Sequence, residues 1–344
     1  MTSLLLHADA DSFFASVVLR SRPDLRAVPM AVVVHTFIAS PNYPARDRGV
    51  RGGMTVREAV RLCPQLVMVD VPRDEVEEVG DALFDLFHSV ARAVEPGSIE
   101  EAFLDVGARD REAAVAAGRE LRRRAMGELG IPVSVGIGRT KLMAKIGSRR
   151  AKPDGLYVVD AHEEARLRAE LPMREAWGVG GTTLERLTEL GVLRLGDLDA
   201  IPRDHLLEAC GTTMARRLWG MRDGTDDAAV NPVEARTALS AEGAISGYNR
   251  VDHTPFELMQ LCVARACKRM NRAGLVATAL TLALRVDSRT VTLKSGARDA
   301  TADPEAWLAT AAALLETAPP APITALRATL TGLHPESQIV PTLF

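Results

Sequence analysis

The sequence predicts an α+β protein of several domains, and three observations predict it. The chain has 344 residues, more than twice the ~150 residues of an average domain. Apolar runs of strand length interleave with amphipathic helical stretches over the first ~160 residues. The β signal then stops between Glu163 and Gly224 and returns near the C-terminus as alternating segments.

The elements follow in order. LLLHADADSFFASVV is an apolar run that ends in Asp9 and Asp11 and resumes with aromatic and small residues, the pattern of a buried strand that exposes carboxylates at its end and turns into a helix. Ala31 to Val34 is a second apolar run. Val76, Val79, Leu83, Leu86, Phe87 and Val90 recur at helical spacing opposite Glu75, Glu78, Asp81 and Asp85, which predicts an amphipathic helix. SIEEAFLDV is a short strand, Arg119 and Arg122 to Arg124 sit on a basic helix, and IPVSVGIG is a β-branched strand. Glycine-punctuated helical pieces then make a small helical domain, and the polar, turn-rich DGTDDAAVNPVE suits a linker. A helix over TPFELMQLCVARACKRMNRAG precedes three strands, ATALTLALRVD, RTVTLKS and ITALRATLTGL. In the first, Leu280, Leu282, Leu284 and Val286 share one face, leaving Thr281, Ala283, Arg285 and Asp287 on the other.

Composition narrows the function classes. With 47% hydrophobic and 25% charged residues the chain is an ordinary globular one, and no apolar run reaches the ~18 residues of a membrane-spanning helix. Asp9 and Asp11 interrupt the apolar start, so no secretory signal is predicted and the expected location is cytoplasmic. Cys63, Cys210, Cys262 and Cys267 match no common zinc spacing and read as reduced core residues. The net charge of −3 hides local segregation of sign.

The chemistry rests on acids. Asp9 ends one strand and Glu100 with Glu101 opens another, so two neighbouring strands would gather three carboxylates. Such a cluster repels itself unless cations intervene, and divalent ions ~3.5–4 Å apart would turn it into a phosphoryl-transfer site. Hard oxygen donors favour Mg²⁺ or Mn²⁺ over zinc. Spacing alone leaves two readings open, a metal cage or ordinary strand-end charges.

HADADSFFASV, NYPARDRGVRGGM, SIEEAFLDV, VSVGIGRTKLMAKIGSRRAKPDG and WGVGGTTLERLTELGV stand in one order along the chain. Together they resemble the Y-family DNA polymerases, nearest the DNA polymerase IV branch, over residues 1 to about 225 and more loosely beyond. The resemblance implies a right-hand polymerase fold with a ferredoxin-like palm (1–17 and 70–162), small fingers (18–69), a helical thumb with a helix-hairpin-helix (163–228), a linker (229–236), an α+β little finger (237–335) and a tail (336–344). It maps Asp9, Glu100, Glu101 and the carbonyl of Ala10 onto the ligands of two Mg²⁺ ions, or Mn²⁺ in their place. Phe13 and Phe14 map beside the incoming sugar, with Phe14 as the gate against a 2′-OH; Tyr43, Arg46 and Lys152 map onto triphosphate contacts. The turn of Gly178, Gly180 and Gly181 resembles a helix-hairpin-helix turn, which would meet a DNA phosphate, and Gln338, Leu343 and Phe344 resemble a stretched clamp-binding peptide. The implied partners are primer–template DNA, deoxynucleoside triphosphates and the sliding clamp, met by a monomer at the nucleoid.

Three departures from the family pattern stand out. Glu100 replaces an aspartate and reaches ~1.5 Å further, a misplacement scale that can cost ~10²-fold in rate. Val18 replaces an acid that commonly follows the first motif, and Pro44 interrupts the fingers motif.

Positive charge gathers at Arg139, Lys141, Lys145, Arg149, Arg150 and Lys152, positions that by resemblance include the palm's DNA side. It gathers again along Arg265, Lys268, Arg269 and Arg272, read as a solvated helix face, and at Arg285, Arg289, Lys294 and Arg298. Arg285 and Lys294, on the polar faces of predicted strands, are the candidates to follow a DNA backbone. The predicted activity is low-fidelity, template-directed DNA synthesis. Two other classes stay open: a DNA- and clamp-binding accessory protein with the polymerase fold and weakened chemistry, and, more distantly, a nucleotide cyclase-like enzyme.

Overall fold

The computed structural model describes residues 4–226, 229–232, 237–246 and 251–338. Its two compact units are Met1–Pro23 with Glu75–Val233, and Asp24–Asp74 with Glu234–Phe344.

A five-stranded sheet centres the first unit, in the order Ala93–Pro96, Glu101–Asp105, Leu5–Ala10, Val133–Gly138, Leu156–Val158. Leu5–Ala10 is the middle strand and runs antiparallel to both neighbours. Helices cover both faces, which is why this strand reads as a nearly continuous apolar run with Leu6 and Ala8 fully buried. Arg111–Arg124 packs on one face through Gly118, over Val135, Ile137 and Leu156. Lys141–Ala151 packs on the other and crosses over to the parallel strand Leu156–Val158. This second helix sits unusually low: a Cβ on Gly136 would stand 2.0 Å from the Ala144 carbonyl oxygen and the Ser148 nitrogen. Glycine there lets the helix backbone approach the strand, and lowers the polar stripe Lys141, Lys145, Ser148 and Lys152 onto the sheet.

Helices Ala161–Glu170, Gly181–Glu189 and Arg203–Asp223 share a core that includes Leu167, Leu187, Leu195, Leu206 and Leu218. Arg168 ties this part together from inside: it is only 2% exposed, meets Glu164 and Asp226 at 2.7 Å each, donates to the Thr140 hydroxyl at 3.1 Å and reaches the Met221 carbonyl. Thr140 also caps helix Lys141–Ala151, accepting from the Met143 N–H.

In the second unit a small sheet orders Phe37–Pro41, Met30–Val34 and Val67–Asp70, and a larger one orders Arg289–Thr301, Leu275–Val286, Ile323–Thr331 and Ala238–Ala244. Helices Pro255–Arg272 and Pro304–Glu316 cover one face of the larger sheet over Leu280, Leu282, Leu284, Met259 and Trp307. The alternation read from the sequence is correct here. Two elements exceed the sequence reading. ALSAEGA has few β-formers and becomes a strand because Ile323–Thr331 offers it an edge. Pro304–Glu316 starts with an Asp303 cap and a first-turn proline, a legible start signal. The helix stripe needs correction: Arg265 is held at 2.7 Å by Asp74 and Arg269 donates to the Ser240 carbonyl at 2.9 Å, so neither is simply solvated. Cys63, Cys262 and Cys267 are buried free thiols, whereas Cys210 is half-buried. No helix among the described residues is long and apolar enough to cross a membrane.

Candidate active site

Register assembles the acidic centre. Asp9 lies directly opposite Glu101 across the antiparallel pair, and directly opposite residues share a face. Donor atoms of His7, Asp9 and Glu101 all fall within 4.8 Å of one another. Glu100, one residue earlier, does not join this group; its carbonyl oxygen accepts the Ala10 N–H at 3.0 Å. Glu100 precedes the strand Glu101–Asp105 and lies in the bend that leads into it.

The low-lying helix supplies the counter-charge. At spacings of four, three and four residues, Lys141 meets Glu95 at 2.5 Å, Lys145 meets Glu101 at 2.6 Å, Ser148 meets His7 Nδ1 at 2.7 Å and Lys152 meets Asp9 at 2.6 Å. His7 is wholly buried; burial lowers its pKa, keeping it a neutral imidazole whose Nε2 faces Glu101 at 3.4 Å. The His7 hydrogen bond, reinforced by Lys145, holds Glu101 down to about 2. Convergent hard carboxylate oxygens whose repulsion is already offset by two ammonium groups are a donor set suited to divalent cations.

That depression makes a stability prediction for the metal-free protein. Glu101 has an ordinary value of 4.5 and a folded value of about 2, so its contribution is complete above 4.5 and disappears as pH falls toward 2. In Glu101→Gln, chemical denaturation across that window should show a shallower loss of stability with acid; an unchanged slope would remove Glu101 as a cause of acid unfolding.

Asp11, two residues beyond Asp9, serves another purpose. It is fully buried and its carboxylate accepts from the Ser134 hydroxyl at 3.0 Å and the Asp154 N–H at 2.5 Å. Burial raises its pKa. Asp11 therefore pins the turn after Lys152, placing that lysine's ammonium beside Asp9. Of the neighbouring aromatics, Phe13 is buried in the core and Phe14 is half-buried, with ring centroids 5.7 Å apart.

Other sequence-derived positions are ordered locally. Asn42 caps the one-turn helix Tyr43–Arg46, accepting from the Ala45 and Met30 N–H groups and donating to the Val28 and Leu25 carbonyls. Pro44 falls in the first helical turn, where a missing N–H costs nothing, so the departure in this motif leaves the helix intact. Arg46 lies 5.8 Å over the Tyr43 ring and donates to the Pro41 carbonyl. In the glycine turn, Gly178 has φ +84 and Gly180 caps helix Gly181–Glu189; Gly178, Gly180 and Gly181 are all exposed. On the C-terminal sheet Arg285 and Lys294 are exposed, and the register puts Lys294 opposite Thr281, Arg327 opposite Ala283 and Glu242 opposite Arg327. All share the polar face, and Arg327 donates to Glu242 at 2.8 Å. Leu343 and Phe344 lie outside the described residues, and Gln338 closes the short helix Glu336–Gln338.

The impB/mucB/samB family matches residues 8–149, and its C-terminal domain matches residues 257–343. DNA polymerase IV of Pseudomonas syringae pv. syringae is 34% identical over 244 residues, 69% of this chain and 69% of that protein. The chain belongs to the Y family of DNA polymerases. DNA polymerase IV 2 of Mesorhizobium japonicum is 38% identical over 251 residues, 71% of this chain and 59% of that protein. DNA repair protein REV1 of Arabidopsis thaliana is 35% identical over 277 residues, 78% of this chain and 25% of that protein. The match thus spans less than two thirds of these two relatives. Among solved structures, a Y-family chimera of Dbh and Dpo4 covers 96% of this chain and 98% of its own at a TM-score of 0.72 and 22% identity. DinB from Sulfolobus solfataricus covers 95% and 98% at 0.67, also at 22%. At that identity these likenesses show the fold, the α+β polymerase fold the motifs implied.

Membership of the Y family carries a general dependence on divalent metal. The structure brings together Asp9, Glu101 and Lys152, which the sequence singled out; the sequence reading gave no site role to His7, Asp11 or Ser134 and counted Lys145 only within a basic cluster. The four-three-four spacing of Lys141, Lys145, Ser148 and Lys152 was a usable signal: three cations on one face of a predicted helix need acids on whatever lies beneath. Within the basic cluster, Lys141, Lys145 and Lys152 turn inward to acids and Arg139 pairs with Glu164 at 2.7 Å.

Proposed function

We propose that this Y-family chain is a template-directed DNA polymerase that extends a primer 3′ end with deoxynucleotides, of the low-fidelity translesion type. The observation that carries the reading is the Asp9–Glu101 pair, set by register on adjacent strands and neutralised by Lys152 and Lys145. Asp9 and Glu101, with the Ala10 carbonyl and Glu100 at the same strand ends, would hold two Mg²⁺ ions. Bound there, divalent ions would lower the pKa of the primer 3′-OH and neutralise the triphosphate. The chain's own residues do the rest. Lys145 and His7 keep Glu101 ionised and oriented; Lys152, released from Asp9, offers its ammonium to the phosphates, which Tyr43 and Arg46 also engage as donors. Phe14, the partly open member of its pair, excludes a 2′-OH.

Outside the centre, Gly178, Gly180 and Gly181 present backbone N–H groups to a DNA phosphate, Arg285 and Lys294 follow the duplex backbone, and Gln338, Leu343 and Phe344 dock into the sliding clamp. The chain acts as a monomer on DNA at the nucleoid. Primer extension on a primed template tests the whole reading. Extension with Mg²⁺ and deoxynucleotides, its failure with ribonucleotides and its stimulation by the clamp are expected; no extension with Mg²⁺ or Mn²⁺ favours the accessory-protein reading. The Arg285→Ala/Lys294→Ala double variant should flatten the slope of log affinity against log salt by about 2, near one phosphate contact each. An unchanged slope places the duplex elsewhere.

A further inference from the structure

We propose that Trp177 is a positioning residue for Glu101, acting through Phe103; the inference rests on the polymerase reading above. Phe103 stands two residues beyond Glu101 and so shares its face of the strand. Its ring, 1% exposed, lies 4.6 Å from the His7 ring and 6.0 Å from the Lys145 ammonium. These two groups are the ones that hold the Glu101 carboxylate, at 3.4 and 2.6 Å. Phe103 is thus the wall against which both of Glu101's partners are set.

Trp177 stands behind that wall. Its ring is 5.0 Å from Phe103 and tilted by 49°. Arg217, from helix Arg203–Asp223, fixes it from outside, with the guanidinium 5.1 Å over the indole and an N–H donated to the Trp177 carbonyl at 3.0 Å. Gly178 makes this clamp feasible: a Cβ there would fall 2.5 Å from the Arg217 guanidinium. Arg217, Trp177, Phe103 and His7 therefore form one continuous stack that ends at the acid pair. Leu5 and Val230 also pack in the cluster around Phe103, but removing the indole takes away the one aromatic ring tilted against it from this side, which lets Phe103 tilt and His7 and Lys145 follow it. A residue that merely glued the glycine turn would affect DNA binding and stability and leave the acid pair alone.

The full-length protein carries the test, with Mn²⁺ alone as the probe in titration calorimetry and Asp9→Asn as the control that assigns the signal to the acid pair. Trp177→Ala should weaken Mn²⁺ binding by about tenfold, as loss of a partner behind a metal ligand does, while the primer–template dissociation constant stays within about threefold. Trp177→Phe, which keeps a ring against Phe103, should recover most of the Mn²⁺ affinity. Should Trp177→Ala fold poorly, Arg217→Met, which leaves the indole but releases it, should weaken Mn²⁺ in the same direction by a smaller factor. Mn²⁺ affinity in Trp177→Ala, or in Arg217→Met, within twofold of an active wild type overturns the positioning role alone. A wild type that neither binds Mn²⁺ through Asp9 nor extends a primer overturns the polymerase reading and this inference with it.

Discussion

Asp9→Asn should abolish primer extension, lowering kcat by at least ~10³-fold with little change in affinity for primer–template DNA. The substitution keeps the shape of the side chain and removes its charge. Asp9 sits near the end of the middle strand, with Glu101 directly opposite. Losing it leaves Glu101 as the sole acid of the close group and deprives Lys152 of its partner at 2.6 Å. The DNA contacts proposed above use residues other than the acid pair, so binding and chemistry should separate. Single-turnover extension alongside fluorescence anisotropy reads both. Residual activity within tenfold of wild type would mean the acid pair is not the reaction centre.

Arg168→Leu should destabilise the helical part of the first unit by ~3–5 kcal/mol, the cost of breaking a buried ion pair from one side. Arg168 and Glu164 are almost fully buried, at 2% and 7% exposure, and Asp226 leans on the same guanidinium at 2.7 Å. Leucine takes the Arg168 cation from Asp226, leaves Glu164 with Arg139, and leaves the Met221 carbonyl without its donor. Because the chain holds two units, a single melting temperature would blur the effect. Hydrogen exchange within Ala161–Glu170 and Arg203–Asp223 localises it. Adding Glu164→Leu should recover part of the loss, since one of the two buried carboxylates that faced Arg168 is then gone. A change below ~1 kcal/mol would show that solvent screens the network after all.

The architecture was legible wherever periodicity is local. Leu280, Leu282, Leu284 and Val286 announced a one-sided strand and all four are buried; Val76 to Phe87 announced a helix and form one. Ala238–Ala244 was not legible, because ALSAEGA carries no β-branched residue and owes its state to a neighbour 80-odd positions away in the chain, pairing Ala241 with Ala328. The centre divides in the same manner. Asp9, late in an apolar run, was legible as an acid near a strand end, where it is partly exposed. Which of Glu100 and Glu101 would face it depended on register, and a slip of one residue would have reversed the answer.

By itself, then, the order of amino acids determined the chemical inventory: strand-end acids, a helix bearing lysines on one side, a glycine turn beside an indole, and a C-terminal sheet with one polar face. Tertiary structure alone decided the partnerships, Lys145 with Glu101, Lys152 with Asp9, Asp11 with Ser134 and Trp177 with Phe103. The reason is physical: side-chain periodicity is set by bonds between neighbouring residues, whereas partnership across strands is set by how closely two backbones approach. Here that approach depends on Gly136, where the missing side chain lets a helix settle onto the sheet.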